Sequence, residues 1–304
     1  MNTQTALPTN STNVRSYNAM SQSSLGWVRS ALAVAYRVAP VLTETWVAHQ
    51  FLSPARHGWP AVERECLAGA EVGTLYTADL PEASWNFRPM RTYRWGKPTR
   101  GRIAVMHGWA GRATQFHRFI ATFVDAGYEV IGIDAPGHGG SVGKISSLFH
   151  FLTALERLVR NAGPVDAVIG HSLGGGVALH ALANGLKAKK AVLIAPNADL
   201  VLYSRVITRQ LGLDETRRQS LQARIEARFG VRWEEVNGIL RAASVTQPGL
   251  VIHDLEDREI PFSMAEAISE AWTGAQLMTT TGLGHRRILA DEQVVGAALD
   301  YVRQ

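Results

Sequence analysis

A single cysteine, Cys66, stands among the 304 residues, so no disulfide can form within the chain and no pair of thiolates can hold a metal. That scarcity fits a reducing compartment, and a cytoplasmic location is the expectation. Long apolar runs are missing as well. The uninterrupted run from Ala31 to Tyr36 is far shorter than the ~20 residues a bilayer requires, and no A-x-A-like cleavage site follows a signal core. Charge of one sign is not in large excess. Thirty-one Lys and Arg against 26 Asp and Glu leave only +5, and the arginines are scattered without a basic stripe or interleaved aromatics, so nucleic acid is not an expected partner. The motifs of nucleotide and metal chemistry are also absent: there is no G-x-x-x-x-G-K-[ST], no G-x-G-x-x-G at the required spacing and no H-E-x-x-H. Neither a cofactor nor a metal is expected.

What remains is ample for a large core, with 46% hydrophobic and 19% charged residues over a length that suits one large domain or two small ones. Residues 1–24 are rich in Ser, Thr, Asn and Gln without periodicity, and a flexible tail is expected there. An N-terminal amphipathic helical segment is expected over 25–60, where Leu25, Val28, Leu32, Ala35, Val38, Leu42 and Trp46 recur at helical spacing and Pro40 should break or kink the helix. No acidic residue precedes Glu44. An acid-free amphipathic segment can pack on its own domain or rest on a membrane surface. Packing is favoured, with peripheral membrane contact as the alternative.

Residues 61–304 read as one domain. Half-exposed antiparallel strands are expected at Glu71–Thr77 and Met90–Trp95. Strand and helix then alternate, with apolar strands at Ile103–Met106, Tyr128–Ile133, Val165–Gly170, Ala191–Ile194, Leu250–His253 and Gln276–Thr280. Such alternation requires a mostly parallel central sheet with helices on both faces. Residues 199–245 interrupt it with helical patterns only, which reads as a helical lid inserted between two strands. Its apolar residues Leu211, Leu213, Leu221, Ile225, Phe229, Trp233, Val236 and Leu240 exceed what so small a unit can bury, so some are expected to line a pocket.

The run Gly170-His171-Ser172-Leu173-Gly174 lies where a short apolar strand gives way to a small-residue helix. A G-x-S-x-G at that junction places serine on a turn so tight that bulk two residues to either side would clash, which pushes the hydroxyl out beyond the sheet. Ligands of open parallel sheets bind beyond the carboxyl ends of the strands, and reactive residues collect there. His107-Gly108-Trp109 follows one strand, Asp134 to Ser141 another, and Asp254, Asp257 and His285 follow the last two.

In these motifs and their order the chain resembles the α/β-hydrolase superfamily, in particular its serine esterases and lipases, over about residues 90–304. The resemblance implies an α/β-hydrolase fold and a catalytic triad of Ser172 as nucleophile, Asp257 as acid and His285 as base. It also implies an oxyanion hole from the backbone N–H groups of Trp109 and Leu173. Asp254 ends its strand and competes for the role of acid, with Asp257 favoured by the resemblance. A serine hydrolase cleaving a small-molecule carboxylic ester through an acyl-enzyme is the function implied. A thioesterase or acyltransferase would use the same residues, and a non-catalytic ligand-binding protein could share the fold. His107 and His138 are expected to hold loops rather than transfer protons, and His171 to point away from the nucleophile.

Overall fold

Eight strands form one sheet in the order β1-β2-β4-β3-β5-β6-β7-β8, and the order turns back on itself between β3 and β5. This computed structural model describes residues 22–76 and 89–304. The strands are β1 (Glu71–Leu75), β2 (Met90–Trp95), β3 (Gly101–Met106), β4 (Tyr128–Ile133), β5 (Val165–His171), β6 (Ala188–Ile194), β7 (Gly249–Asp254) and β8 (Ala275–Thr280). β1 and β2 pair antiparallel, as does β2 with β4, and every pairing from β4 through β8 is parallel. The near-continuous apolar composition of the central strands follows from burial on both faces: all six residues of β4 and of β7 are buried.

Helices cover both faces. In chain order they are α1 (Gln22–Val38), α2 (Pro40–Phe51), α3 (Ala61–Ala68), α4 (His117–Asp125), α5 (Leu148–Ala162), α6 (Leu173–Ala183), α7 (Leu200–Gln210), α8 (Glu215–Phe229), α9 (Gly238–Ala242), α10 (Ser263–Ala271), α11 (Gly284–Arg287) and α12 (Glu292–Arg303). One core layer packs α5, α6 and α10 on the sheet, around Phe151, Leu155, Val177 and Trp272. The opposite layer packs α4 and α12 around Phe116, Phe119, Phe123 and Val294. Asp199, Asp214 and Asp291 accept from backbone N–H groups in the first turns of α7, α8 and α12, which explains where those helices start.

The N-terminal helices and the entry to α4 add detail to the sequence reading. A 3₁₀ turn, Ala113–Phe116, leads into α4. The expected tail lies outside the described residues up to residue 21, and α1 already begins at Gln22. Of the two outcomes expected at Pro40 the structure shows the break: Pro40 stands at the first position of α2, where its missing N–H costs no hydrogen bond.

The helical insertion between β6 and β7 runs from α7 to α9 and does not stand alone. Leu32 of α1 and Val47, Ala48 and Leu52 of α2 share a core with Leu213, Leu221, Ile225, Phe229 and Trp233 of the insertion. Glu44 pairs with Arg224 across α2 and α8 at 3.3 Å. Two segments far apart in sequence thus make one cap over the carboxyl ends of the strands.

Candidate active site

Ser172 occupies the single residue between β5 and α6, with φ 54° and ψ −123°. Such a backbone is costly for a residue with a Cβ and persists only when its neighbours over-determine it. Here they do. The Ser172 N–H donates to the Ile194 carbonyl at 3.0 Å, and its own carbonyl accepts from Gly175, Gly176 and Asn197 at 2.9, 3.2 and 2.9 Å. The flanking glycines are a steric necessity. A Cβ on Gly170 would overlap the Gly174 carbonyl, one on Gly174 would overlap the carbonyls of Met106 and His107, and one on Gly108 would sit 2.8 Å from the Ser172 Cβ. Among the described residues three non-glycines have positive φ, Ala110, Ser172 and Ala195, and they sit just beyond β3, β5 and β6. The strain is collected on one rim of the sheet, beside the point where the strand order reverses.

Ser172 opens onto a cavity of about 200 Å³ between sheet and cap. Its floor includes Trp109, Leu173 and Asn197, and α5 contributes Leu148 and Phe149. From the cap come Phe51 and Leu52 at the end of α2, with Leu200, Tyr203, Ile225 and Trp233. Of the insertion residues expected from sequence, Ile225 and Trp233 reach the cavity. Leu213, Leu221, Phe229 and Val236 are buried elsewhere, and Leu240 is 69% exposed. Phe229 lies against Phe149 and His150 instead, with ring centroids 5.5 and 6.1 Å apart.

The backbone N–H groups of Trp109 and Leu173 both belong to residues lining the cavity, and neither donates to an acceptor among the described residues. The Trp109 turn is closed by the Gly111 N–H on the Gly108 carbonyl at 3.0 Å. His107 steadies it from below: Nδ1 lies 2.7 Å from the Gly108 carbonyl, and Nε2 accepts from the Ala135 N–H at 3.0 Å. Those two bonds require a neutral ring protonated on Nδ1, and burial holds its pKa down. His138 packs its ring 5.2 Å from that of Trp109. Both histidines act on loops, as the sequence reading expected.

His285 and Asp257 meet. His285 Nδ1 lies 2.7 Å from Asp257 Oδ2, leaving Nε2 directed away from the carboxylate. Asp257 Oδ1 accepts from the N–H groups of Glu259 and Ile260 at 2.8 and 2.9 Å. Burial pushes the Asp257 pKa up, but the His285 hydrogen bond and charge, with those two N–H groups, outweigh it and hold it below the ordinary carboxylate value. Asp254 is occupied otherwise. Its Oδ2 accepts from Thr280 Oγ1 at 2.8 Å and from the Leu283 N–H at 3.0 Å, and its Oδ1 from the Glu256 N–H at 3.0 Å, so it ties the β7 loop to the β8 loop.

Ser172 Oγ makes no hydrogen bond among the described residues, so the link from serine to His285 is not closed in this structure. Two buried histidines, neither given this part by the sequence reading, brace the His285–Asp257 pair. His171 donates from Nε2 to the His285 carbonyl at 2.8 Å, and burial, reinforced by the neighbouring His285, pulls its pKa down to about 3. His253 donates from Nε2 to the Ile260 carbonyl at 3.0 Å and lies 3.5 Å from Asp257 Oδ2. His253 stands next to last in β7, directly before Asp254, a place that reads from sequence as one more buried strand residue.

Residues 97–242 match the family model described as serine aminopeptidase S33. A 2-succinyl-6-hydroxy-2,4-cyclohexadiene-1-carboxylate synthase of Escherichia coli is 33% identical over 33% of this chain, a match spanning only 39% of that relative. A pimeloyl-[acyl-carrier protein] methyl ester esterase of Xanthomonas campestris is 27% identical over 65% of this chain and 92% of its own length. Among solved structures, an Acinetobacter baumannii protein assigned as a lipase superposes with a TM-score of 0.60 at 20% identity, covering 82% of this chain and 99% of its own. The fold is that of the α/β-hydrolases, and among the proteins this chain is similar to are ones named esterase and lipase.

Proposed function

We propose that this protein is a serine hydrolase that cleaves a carboxylic ester through an acyl-enzyme. The observation that carries the reading is the strained, glycine-flanked Ser172 facing an apolar cavity beside two backbone N–H groups that have no acceptor among the described residues. In this reading Ser172 Oγ attacks the ester carbonyl while His285 Nε2 takes its proton. Asp257 holds the imidazole by Nδ1 and stabilises the cation that forms. The N–H groups of Trp109 and Leu173 receive the developing oxyanion, a contribution of about 2.7–4 kcal/mol per donor. Collapse expels the alcohol, which takes the proton from His285, and water, activated by the same imidazole, releases the acid. The apolar lining favours an apolar acyl or alcohol group, and the names of the relatives, esterase and lipase, support the ester as substrate class.

A fluorophosphonate probe tests the reading. Labelling of the wild-type protein at Ser172, lost in Ser172→Ala and much slowed in His285→Ala, is expected. Folded protein that takes no label, or labels elsewhere, would leave a ligand-binding protein as the better account.

A further inference from the structure

Among the described residues thirteen large hydrophobic side chains are exposed, and six of them, Trp27, Val34, Val38, Val41, Leu42 and Trp46, fall within the two N-terminal helices. These are not stray. Trp27, Val34 and Val38 follow the i, i+7, i+11 spacing of one helix face, and Trp27 and Val38 are 81% and 79% exposed. Leu42 and Trp46 stand one turn apart on α2, and the same row continues to Gln50, which lines the Ser172 cavity. The opposite faces of α1 and α2, through Leu32, Val47, Ala48 and Leu52, are already used to hold the cap together. Both helices are therefore apolar on two sides, with one side uncovered, and a helix with that pattern calls for a second apolar surrounding.

The charges indicate which one. From Gln22 to Thr43 the only ionised side chains are Arg29 and Arg37. Both are exposed; Arg29 turns toward the cap, donating to the neutral Gln210 carbonyl, while Arg37 flanks the uncovered row of α1 with no acid beside it in the sequence from Gln22 to Thr43. The first acid, Glu44, is turned inward onto Arg224. Tryptophan at the apolar face with arginine at its edge is the composition of a helix lying in a lipid interface. No helix among the described residues is long and apolar enough to cross a membrane, so the contact is one of lying on the surface.

We infer that the outward faces of α1 and α2 seat the protein on an anionic lipid surface, placing the end of α2, and with it the Ser172 cavity, next to the lipid phase. This deepens the ester-hydrolase reading and rests on it for the direction from which an apolar ester enters. The test is co-sedimentation of the full chain with phosphatidylcholine vesicles, with and without phosphatidylglycerol, for the wild type and for Val34→Glu/Leu42→Glu. Both substitutions fall on exposed positions away from the cavity. Wild-type binding to the anionic vesicles that weakens with salt, and is about tenfold or more weaker in the variant, is expected. Turnover of a short water-soluble ester should be the same in both proteins, while turnover of a long-chain ester embedded in vesicles should fall about tenfold. Should the double variant fold poorly, Arg37→Gln/Trp27→Ser provides the same comparison. Absence of wild-type binding, or equal binding by the folded variants, overturns the inference. So does a wild-type dimer that the variant converts to monomer with no vesicle binding by either, which would make this face a contact between copies. Vesicle binding is read without catalysis, so binding without fluorophosphonate labelling sinks the ester reading alone, and labelling without binding sinks this inference alone.

Discussion

Ser172 and its glycines show how little tolerance the turn has. A methyl group on Gly174 would have to occupy the space of two carbonyl oxygens, those of Met106 and His107, and neither can move without disrupting β3. Gly174→Ala is therefore expected to cost several kcal/mol, about 3 or more, and to reduce soluble expression; a wild-type urea midpoint would contradict the geometry. The two carboxylates separate just as clearly. Asp257→Asn removes the charge that faces His285 and permits the wrong imidazole tautomer, so turnover should fall on the order of 10⁴-fold with the fold retained. Asp254→Asn instead turns one of its acceptors into a donor facing a network of N–H and O–H donors, costing about 1–3 kcal/mol of stability. Turnover per folded molecule should stay near wild type. Steady-state rates measured beside denaturation midpoints distinguish the two, and a reversed pattern would reassign the acid. G-x-S-x-G was legible in the sequence because steric demand is local. The preference for Asp257 over Asp254 rests on resemblance, because which carboxylate meets His285 is not a local property of the sequence.

The cap is where elements decide function. Trp233 reaches the cavity and stacks on Phe51 of α2 with ring centroids 6.0 Å apart, whereas Phe229 serves the joint between α8 and α5. Trp233→Ala should therefore shift the ratio of activities on short and medium acyl esters, by about 1–3 kcal/mol, roughly 10- to 200-fold. Phe229→Ala should lower stability by about 3–5 kcal/mol and leave that ratio unchanged. Chain-length profiles of both variants, taken well below their melting temperatures, give the comparison. An unchanged ratio in Trp233→Ala would mean the cap does not choose the substrate. Periodicity made the helices of the insertion visible, since each has an apolar side. It could not say which apolar side faces the cavity, because residues packed on a neighbouring helix and residues lining a pocket have the same composition. Nor could it join the N-terminal helices to the insertion, about 160 residues away.

At the scale of the whole molecule, buried histidines make the fold sensitive to acid. Burial pulls His171 down to about 3 and His150 and His180 to about 4, the latter two helped by Arg228 and Arg241, and His107 and His138 are lowered as well. In the unfolded chain each takes a proton near the ordinary value of ~6.5, while in the folded chain it stays neutral well below that. The unfolded state thus binds more protons through this window, so stability is full above about pH 6.5 and is lost as pH falls toward 4 and then 3. Each such residue removes about 1.4 kcal/mol per pH unit within its window. Urea midpoints should drop steeply between pH 6.5 and 4.5; a flat profile would mean these rings are hydrated in the folded protein.

The sequence by itself determined the fold class, the order of strands and helices, the serine elbow and the loops that carry the remaining site residues, because periodicity, turn sterics and strand-end placement are local properties. Tertiary structure alone decided what each carboxylate touches, that His171 and His253 brace Asp257 and His285, and that α2 forms a wall of the cavity. Those outcomes depend on which surfaces meet across long stretches of chain. Hydrogen bonds between residues 28 positions apart, such as His285 to Asp257, and packing between α2 and α8 are fixed by how the sheet and cap close, and nothing in a local pattern encodes that distance.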